Sequence, residues 1–144
     1  GIAYPFLEKC HEEGKFACMM FADINKMKMI NDKFGHLQGD LAICTVAKVI
    51  RQVLTKDWII VRYGGDEFLM VGECGEDVDP QKLLDEITIQ LENRASEMQL
   101  PYTLKAGVGY VMISPDESLN LSDCLRRADE AMYQMKKKQH NEMN

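Results

Sequence analysis

Two β-rich runs meet across a short turn in the stretch Trp58-Ile59-Ile60-Val61-Arg62-Tyr63-Gly64-Gly65-Asp66-Glu67-Phe68-Leu69-Met70-Val71. The runs at 58–62 and 68–71 consist mainly of residues that favour strands, and a Gly-Gly pair between two such runs is typical of a β-hairpin. The turn also contains two acids, Asp66 and Glu67. We therefore predict a hairpin with two carboxylates at its turn.

The segments around this hairpin predict alternating strands and helices. Residues 17–22 form an unbroken apolar run that ends at Asp23, which is typical of a strand buried on both faces. Apolar periodicity predicts helices at 25–34, from Gly39 to about Leu54, from Pro80 to about Ala95 and from Leu121 to about Lys138, and a strand at 102–113. The resulting order predicts an α/β fold with a mixed central sheet and helices packed over it.

The composition is that of one globular domain. The chain has 144 residues, of which 46% are apolar and 28% are charged, so we expect 1–144 to form a single unit with its own core. Seventeen basic and 23 acidic residues give a net charge of −6, which argues against nucleic-acid binding. If the ligand carries phosphates, metal ions are expected to lie between it and this acidic protein.

The ends and the apolar runs of the chain bear on its location. The sequence contains no run of about 18 apolar residues and no signal-peptide pattern, so we expect no membrane contact by this chain and a cytoplasmic location. The chain begins at Gly1 without Met. We therefore expect it to be a piece of a longer protein that carries a regulatory or sensory domain elsewhere.

Three acids are candidates for a metal site. Asp23 ends a predicted strand, and Asp66 and Glu67 lie in the hairpin turn. If these strands are neighbours, three carboxylates meet at one edge of the sheet, which suits a hard cation such as Mg²⁺. Gly64 and Gly65 would let a ligand approach the backbone closely. The alternative is an exposed turn whose acids only keep the hairpin soluble.

Three sequence blocks resemble those of the GGDEF family, the diguanylate cyclases. The hairpin turn matches the signature loop of the family letter for letter over 62–68. Two further segments are similar to the first and the last block of the family. They are Asp23-Ile24-Asn25-x-x-Lys28-x-x-Asn31-Asp32-x-x-Gly35-His36-x-x-Gly39-Asp40 and Ala128-Asp129-x-Ala131-Met132-Tyr133-x-x-Lys136. The resemblance covers nearly the whole chain and implies a fold similar to nucleotide cyclases and the polymerase palm, with a ferredoxin-like core.

The resemblance also implies roles for individual residues. Asp23 and Asp66 would bind Mg²⁺ or Mn²⁺ together with the Ile24 carbonyl, and Glu67 would be a further metal ligand or would help to deprotonate a ribose hydroxyl. The substrate-binding positions implied are Lys28 and Lys136 for the triphosphate of GTP, Asn31 and Asp40 for the guanine edge, and Gly64 and Gly65 in the signature loop. From the residues alone, the alternative role for Asn31 and Asp40 is helix capping, and the alternative for Lys136 is a favourable interaction with a helix dipole.

Some positions depart from the family pattern. Asn25 stands where Asp is usual, and His140 stands where an arginine that contacts the triphosphate is common. The segment Thr55-Lys56-Asp57-Trp58 occupies the place of an R-x-x-D motif that binds product in many members. We therefore expect no product-inhibition site of that kind.

The resemblance implies that two GTP are condensed into cyclic di-GMP, with release of pyrophosphate, at a metal-dependent site shared across a homodimer. A catalytically weak or inactive GTP-binding regulatory domain is the alternative, and His140 motivates it. Asp40 at the guanine-reading position favours two GTP over a mixed pair of GTP and ATP.

Overall fold

The computed structural model of the chain describes residues 3–118 and 120–143, and the side chains at 121 and 139–143 lie outside this description. The described ranges form helices and strands in the order α1 (Ala3–Glu12), β1 (Ala17–Ile24), α2 (Met27–Phe34), α3 (His36–Val53), β2 (Ile59–Arg62), β3 (Glu67–Glu73), α4 (Pro80–Glu97), β4 (Ala106–Ile113) and α5 (Leu121–Met143). Among the described helices, none is both long and apolar enough to span a membrane.

The four strands form one sheet in the order β2-β3-β1-β4. This is the order of a ferredoxin-like core, so the predicted α/β class with helices over a sheet is confirmed. Every described pairing in the sheet is antiparallel, whereas a mixed sheet was expected. The reason is that β1 and β2 run in the same direction but β3 lies between them, so no two neighbouring strands are parallel.

Several element boundaries differ from those expected. Helix α1 was not predicted, because only Leu7 and Cys10 of its residues are buried and the apolar spacing is correspondingly weak. Helix α3 begins at His36 rather than Gly39, and β4 begins at Ala106, so it occupies the last eight residues of the strand predicted at 102–113. Helix α5 continues five residues past Lys138.

Strand β1 is buried on both faces, as predicted. Its alternate residues Cys18, Met20 and Ala22 join the core with helices α3 and α4. Its other face, with Met19 and Phe21, joins a second core with helices α1 and α5. The helices on both faces of the sheet therefore pack against β1, and this packing fixes the position of the residues at the C-terminal end of that strand.

Gly72 on β3 packs closely against the ring of Trp58. A Cβ at this position would overlap the ring of Trp58, which is 8% exposed, whereas a Cβ at Gly75 would meet nothing within 4 Å. We expect Gly72→Ala to lower the free energy of unfolding by about 1–3 kcal/mol, because a rigid buried ring must move. Gly75→Ala should change it by less than about 0.5 kcal/mol. Urea unfolding measures both, and equal effects would contradict this account of the Trp58 contact.

Candidate functional site

The three acids expected to meet do so at one end of the two central strands. Asp23 is the second-last residue of β1 and pairs across the sheet with Glu67, the first residue of β3. Asp66 precedes Glu67 in the hairpin turn. One carboxylate oxygen from each of the three residues lies within 4.8 Å of the others. The predicted convergence is confirmed, although β3 and not β2 is the strand next to β1.

One backbone hydrogen bond joins the hairpin turn to the end of β1, and others close the turn itself. The N–H of Ile24 donates to the Asp66 carbonyl (3.0 Å), and the N–H of Tyr63 donates to the Glu67 carbonyl (2.8 Å). The guanidinium of Arg62 donates to the Gly65 carbonyl through Nε (3.2 Å) and Nη2 (2.6 Å). The Ile24 N–H therefore attaches the turn to β1, and the Arg62 side chain attaches it to the end of β2.

The two glycines of the turn differ in their surroundings. A Cβ at Gly64 would lie 3.2 Å from Oε2 of Glu67, so a side chain there would press on that carboxylate. A Cβ at Gly65 would meet nothing within 4 Å. Gly64 thus leaves room beside the acid cluster, and Gly65 leaves its backbone open to solvent.

Lys136 of α5 reaches this cluster and forms an ion pair with Oδ2 of Asp23. Its stem passes over Gly107 of β4, where a Cβ would lie 3.0 Å from Cγ of Lys136. Helix α5 continues beyond Lys136, so this lysine lies inside the helix and not in its last turn. The ion pair places Lys136 in the cluster, which a helix-dipole role alone would not require.

The cluster holds more negative charge than its surroundings neutralise. Burial is the main cause that raises the pKa of Asp23, and the charge of Asp66 adds to it, although Lys136 opposes both. Burial also raises the pKa of Glu67, helped by the charges of Asp23 and Asp66. Burial therefore outweighs the ion pair at Asp23. An acidic cluster of this kind suits a divalent cation, which would supply the missing charge.

The raised pKa of Asp23 predicts a pH dependence of stability. A carboxyl whose pKa is higher in the folded state binds its proton more tightly there, so its contribution to stability is present at acidic pH and is lost as pH rises through the raised pKa. Without divalent cations, Asp23→Asn should therefore become more stable relative to the wild type as pH rises above the ordinary value of 3.8. Urea unfolding in a chelator measures this, and a difference that stays constant or reverses with pH would contradict it.

The residues expected to bind guanine and triphosphate lie on the neighbouring helices α2 and α3. Asn31 is half-buried in α2, and its side chain packs against Gly39 of α3, where a Cβ would overlap it. Asp40 follows Gly39 and is exposed. Neither α2 nor α3 has a side-chain N-cap, so the capping alternative for these two residues finds no support.

Lys28 forms no ion pair with the acid cluster within the described residues. It lines a surface depression on α2 with Lys26, Met29, Asp32 and Lys33. Within the described residues, no hydrogen bond joins Lys28, Asn31 or Asp40 to the carboxylates, whereas Lys136 forms one with Asp23. The side chain of His140 lies outside the described residues.

Two residues near the cluster were missed by the sequence analysis. Gly107 gives Lys136 its path to Asp23, and Arg62 braces the hairpin turn. A signal for the first existed, because glycines inside a predicted strand, at 107 and 109, often mark a close approach of another segment. No local signal identified Arg62, since its partner is a backbone carbonyl in the turn.

Comparisons of the sequence and of the fold with those of known proteins agree with each other. A sequence profile described as "Diguanylate cyclase, GGDEF domain" matches residues 5–142. Diguanylate cyclase DgcP of Escherichia coli (strain K12) is 37% identical over 119 residues, which cover 81% of this chain and 34% of that protein. Cyclic di-GMP phosphodiesterase NbdA of Pseudomonas aeruginosa is 29% identical over 130 residues, which cover 90% of this chain and 16% of that protein. The chain thus spans about a third or less of the length of these relatives.

A solved structure shares the fold over nearly the whole chain. The crystal structure of the GGDEF domain of DgcB from Caulobacter crescentus, in complex with c-di-GMP, has a TM-score of 0.83 and 28% sequence identity. The similarity covers 95% of this chain and 81% of that one.

Proposed function

This chain belongs to the GGDEF domain family of diguanylate cyclases, and from that premise we propose that it condenses two GTP into cyclic di-GMP and two pyrophosphates. The observation that carries the proposal is the convergence of Asp23, Asp66 and Glu67 on one edge of the sheet. Residues 1–144 act as a single catalytic domain in this proposal, within a longer chain whose regulatory or sensory domain controls it.

Divalent Mg²⁺ or Mn²⁺ fits the donor set of this site. Asp23, Asp66 and the Ile24 carbonyl would hold the ion. Burial, with the neighbouring carboxylate charges added, raises the pKa of Asp23 and Glu67, and a cation would stabilise their charged forms. When bound, the ion neutralises phosphate charge and stabilises the oxygens of phosphoryl transfer. The hard carboxylate oxygens suit either ion.

The reaction needs only one proton acceptor at each site. The 3′-hydroxyl oxygen of each GTP forms a bond to the α-phosphorus of the other, the bond from that phosphorus to the bridging oxygen breaks, and pyrophosphate leaves. Glu67 is assigned either to accept the hydroxyl proton or to be a further metal ligand, and in the second case the proton passes to solvent.

The nucleotide is proposed to extend from the cluster towards α2 and α3. Asn31 and Asp40 would bind the guanine edge, with Asp40 accepting from groups that adenine lacks. Lys28 and Lys136 would neutralise the triphosphate, which would pass beside Gly64 and Gly65. A site that hydrogen-bonds guanine in this way disfavours ATP, because its polar groups would be left unpaired.

The shared reaction requires a homodimer. Each domain holds one GTP, and two domains face each other so that each hydroxyl meets the other phosphate. We propose that the domain acts in the cytoplasm, where its substrate GTP is available. Neither nucleic acid nor membrane is a partner in this proposal.

The direct test is product analysis with a forced dimer. The domain is fused to a parallel dimeric coiled coil and incubated with GTP, ATP and Mg²⁺, and the products are separated by chromatography. We expect one cyclic di-GMP for every two pyrophosphates. A mixed cyclic dinucleotide would overturn the assignment of Asp40, and the absence of any cyclic dinucleotide would overturn the proposed activity.

A GTP-binding regulatory domain is the second candidate, and one relative favours it. NbdA, which matches over 90% of this chain, is named a cyclic di-GMP phosphodiesterase and not a cyclase. Calorimetry with GTP and Mg²⁺ separates the two functions. GTP binding by a forced dimer that forms no product would favour the regulatory role.

A further inference from the structure

The ammonium group of Lys136 lies in the carboxylate cluster and donates to Oδ2 of Asp23. Asp23 is only 8% exposed. The two residues are 113 positions apart in the sequence, so only the packing of α5 on the sheet brings them together. In the described part of the chain, Lys136 is the one cationic side chain that forms an ion pair with an acid of the cluster.

The path of Lys136 to Asp23 is built into β4. A Cβ at Gly109 would lie 2.9 Å from the backbone nitrogen of Met132. A Cβ at Gly107 would lie 3.0 and 3.1 Å from Cγ and Cε of Lys136. The helix rises about 6 Å over the four residues from Met132 to Lys136, and the strand extends about 6.6 Å over the two residues from Gly109 to Gly107. The spacing of the two contacts is therefore the same along α5 and along β4.

Gly107 also pairs with Asp23 across β1 and β4. The stem of Lys136 therefore lies over a strand position without a side chain, directly beside the carboxylate that it neutralises. Because the stem is held there and only the end of the side chain needs to rotate, Lys136 can release Asp23 without any movement of the helix.

A divalent cation and this ammonium group compete for the same place. The ligand oxygens of Asp23, Asp66 and Glu67 lie within 4.8 Å of one another, and one oxygen of Asp23 already accepts from Lys136. Two cations held a few ångströms apart in a half-buried site repel each other. We propose that Lys136 is an internal counter-ion of the acid cluster, which a divalent cation displaces from Asp23, so that its ammonium group becomes available to the triphosphate.

This inference rests on the proposed function and makes metal and nucleotide binding cooperative. Without metal, Asp23 holds Lys136 and the nucleotide gains little from it. With metal bound, Lys136 is released and adds to nucleotide affinity. By reciprocity, the nucleotide must raise the affinity for the metal by the same factor.

Metal binding without nucleotide is the first test. Mn²⁺ binding is measured by electron paramagnetic resonance for the wild type, Lys136→Met and Lys137→Met. Methionine keeps the stem over Gly107 and removes the charge, whereas Lys137 is exposed and has the same charge. We expect Lys136→Met to bind Mn²⁺ roughly tenfold more tightly than the wild type, and Lys137→Met to change the affinity by less than about twofold.

Nucleotide binding with and without metal is the second test. A non-hydrolysable GTP analogue is titrated into the wild type and Lys136→Met, once in a chelator and once with Mg²⁺. In the chelator, the two affinities should agree within about twofold, and with Mg²⁺ the wild type should bind roughly tenfold more tightly. A lysine that contacts the triphosphate at all times would weaken binding under both conditions when replaced.

The outcomes separate this inference from the proposed function. Equal Mn²⁺ affinity in the wild type and Lys136→Met, or an equal gain in Lys137→Met, would overturn displacement of Lys136 while leaving the metal site intact. An equal loss of analogue affinity with and without Mg²⁺ would do the same. If none of the three proteins binds Mn²⁺, the metal-dependent function itself fails.

Discussion

Asp23→Asn is expected to lower cyclic di-GMP formation by at least about a thousandfold, since it removes a buried carboxylate on which the proposed cation depends. Asn keeps the shape of the side chain and one oxygen, but it loses the negative charge. The register that pairs Asp23 with Glu67 does not involve the side chain, so the sheet should be unchanged.

Stability distinguishes this loss from unfolding. Because burial raises the pKa of Asp23, the charged form is unfavourable in the fold without metal. The variant should then be at least as stable as the wild type at neutral pH in a chelator, while its Mn²⁺ binding is strongly weakened. An inactive protein that is also less stable would not support the assignment of Asp23 to the metal.

A matched acid elsewhere controls for the change of charge. Asp116 lies in the turn after β4 and is exposed, and Asp116→Asn removes the same charge far from the cluster in sequence. We expect its activity to remain within about twofold of the wild type, as surface substitutions usually have small effects. If Asp23→Asn retained a tenth or so of the activity, a role of Asp23 as a metal ligand would be rejected.

Gly109→Val is expected to have the largest effect on stability and to disturb the site from a distance. A Cβ at this position would lie 2.9 Å from the Met132 nitrogen and 3.0 Å from the Ala131 carbonyl carbon, so the obstacle is helix backbone and not a flexible side chain. Overpacking of this kind costs typically 1–3 kcal/mol, and we expect about 3 kcal/mol or more here. Urea unfolding monitored by circular dichroism measures the loss.

Activity of the folded fraction tests the link to the site. Because the same stretch of α5 contacts β4 at Gly109 and at Gly107, a displacement of the helix away from Gly109 should also move Lys136 away from Asp23. We expect a loss of at least about tenfold in activity under conditions where the variant is folded. The control is Val111→Ile, which enlarges a half-buried side chain on the same strand and should cost less than about 1.5 kcal/mol with normal activity. A destabilised Gly109→Val with normal activity would show that the position of α5 does not control the site.

The sequence alone predicted the features that depend on local pattern. The unbroken apolar run before Asp23 predicted a strand buried on both faces, and the Gly-Gly pair predicted the acidic hairpin turn. Pro80 marked the start of α4, where Asp79 caps the helix by accepting from the Gln81 N–H. These features can be predicted because the residues that determine them are close together in the sequence.

The weak and long-range features were not predicted. Helix α1 buries only two residues, so its pattern does not stand out from a loop. The sheet was expected to be mixed, because the sequence does not say that β3 separates β1 from β2. The start of α3 at His36 also differed, since Gly35 takes φ 91° and ψ 161°, a conformation suited to glycine, and the chain turns directly from α2 into α3 there.

The residue order alone shows which side chains carry charge and where the apolar runs stop, and this makes Asp23, Asp66 and Glu67 candidates for one metal site. That β3 lies beside β1 and pairs Asp23 with Glu67 is visible only in the folded chain. The tertiary structure also places Lys136, 113 residues away, over Gly107, where it neutralises Asp23. Charge and periodicity are properties of the local chain. The distance between two charges, in contrast, depends on how closely a helix packs on a strand, and here Gly107 and Gly109 allow that close packing.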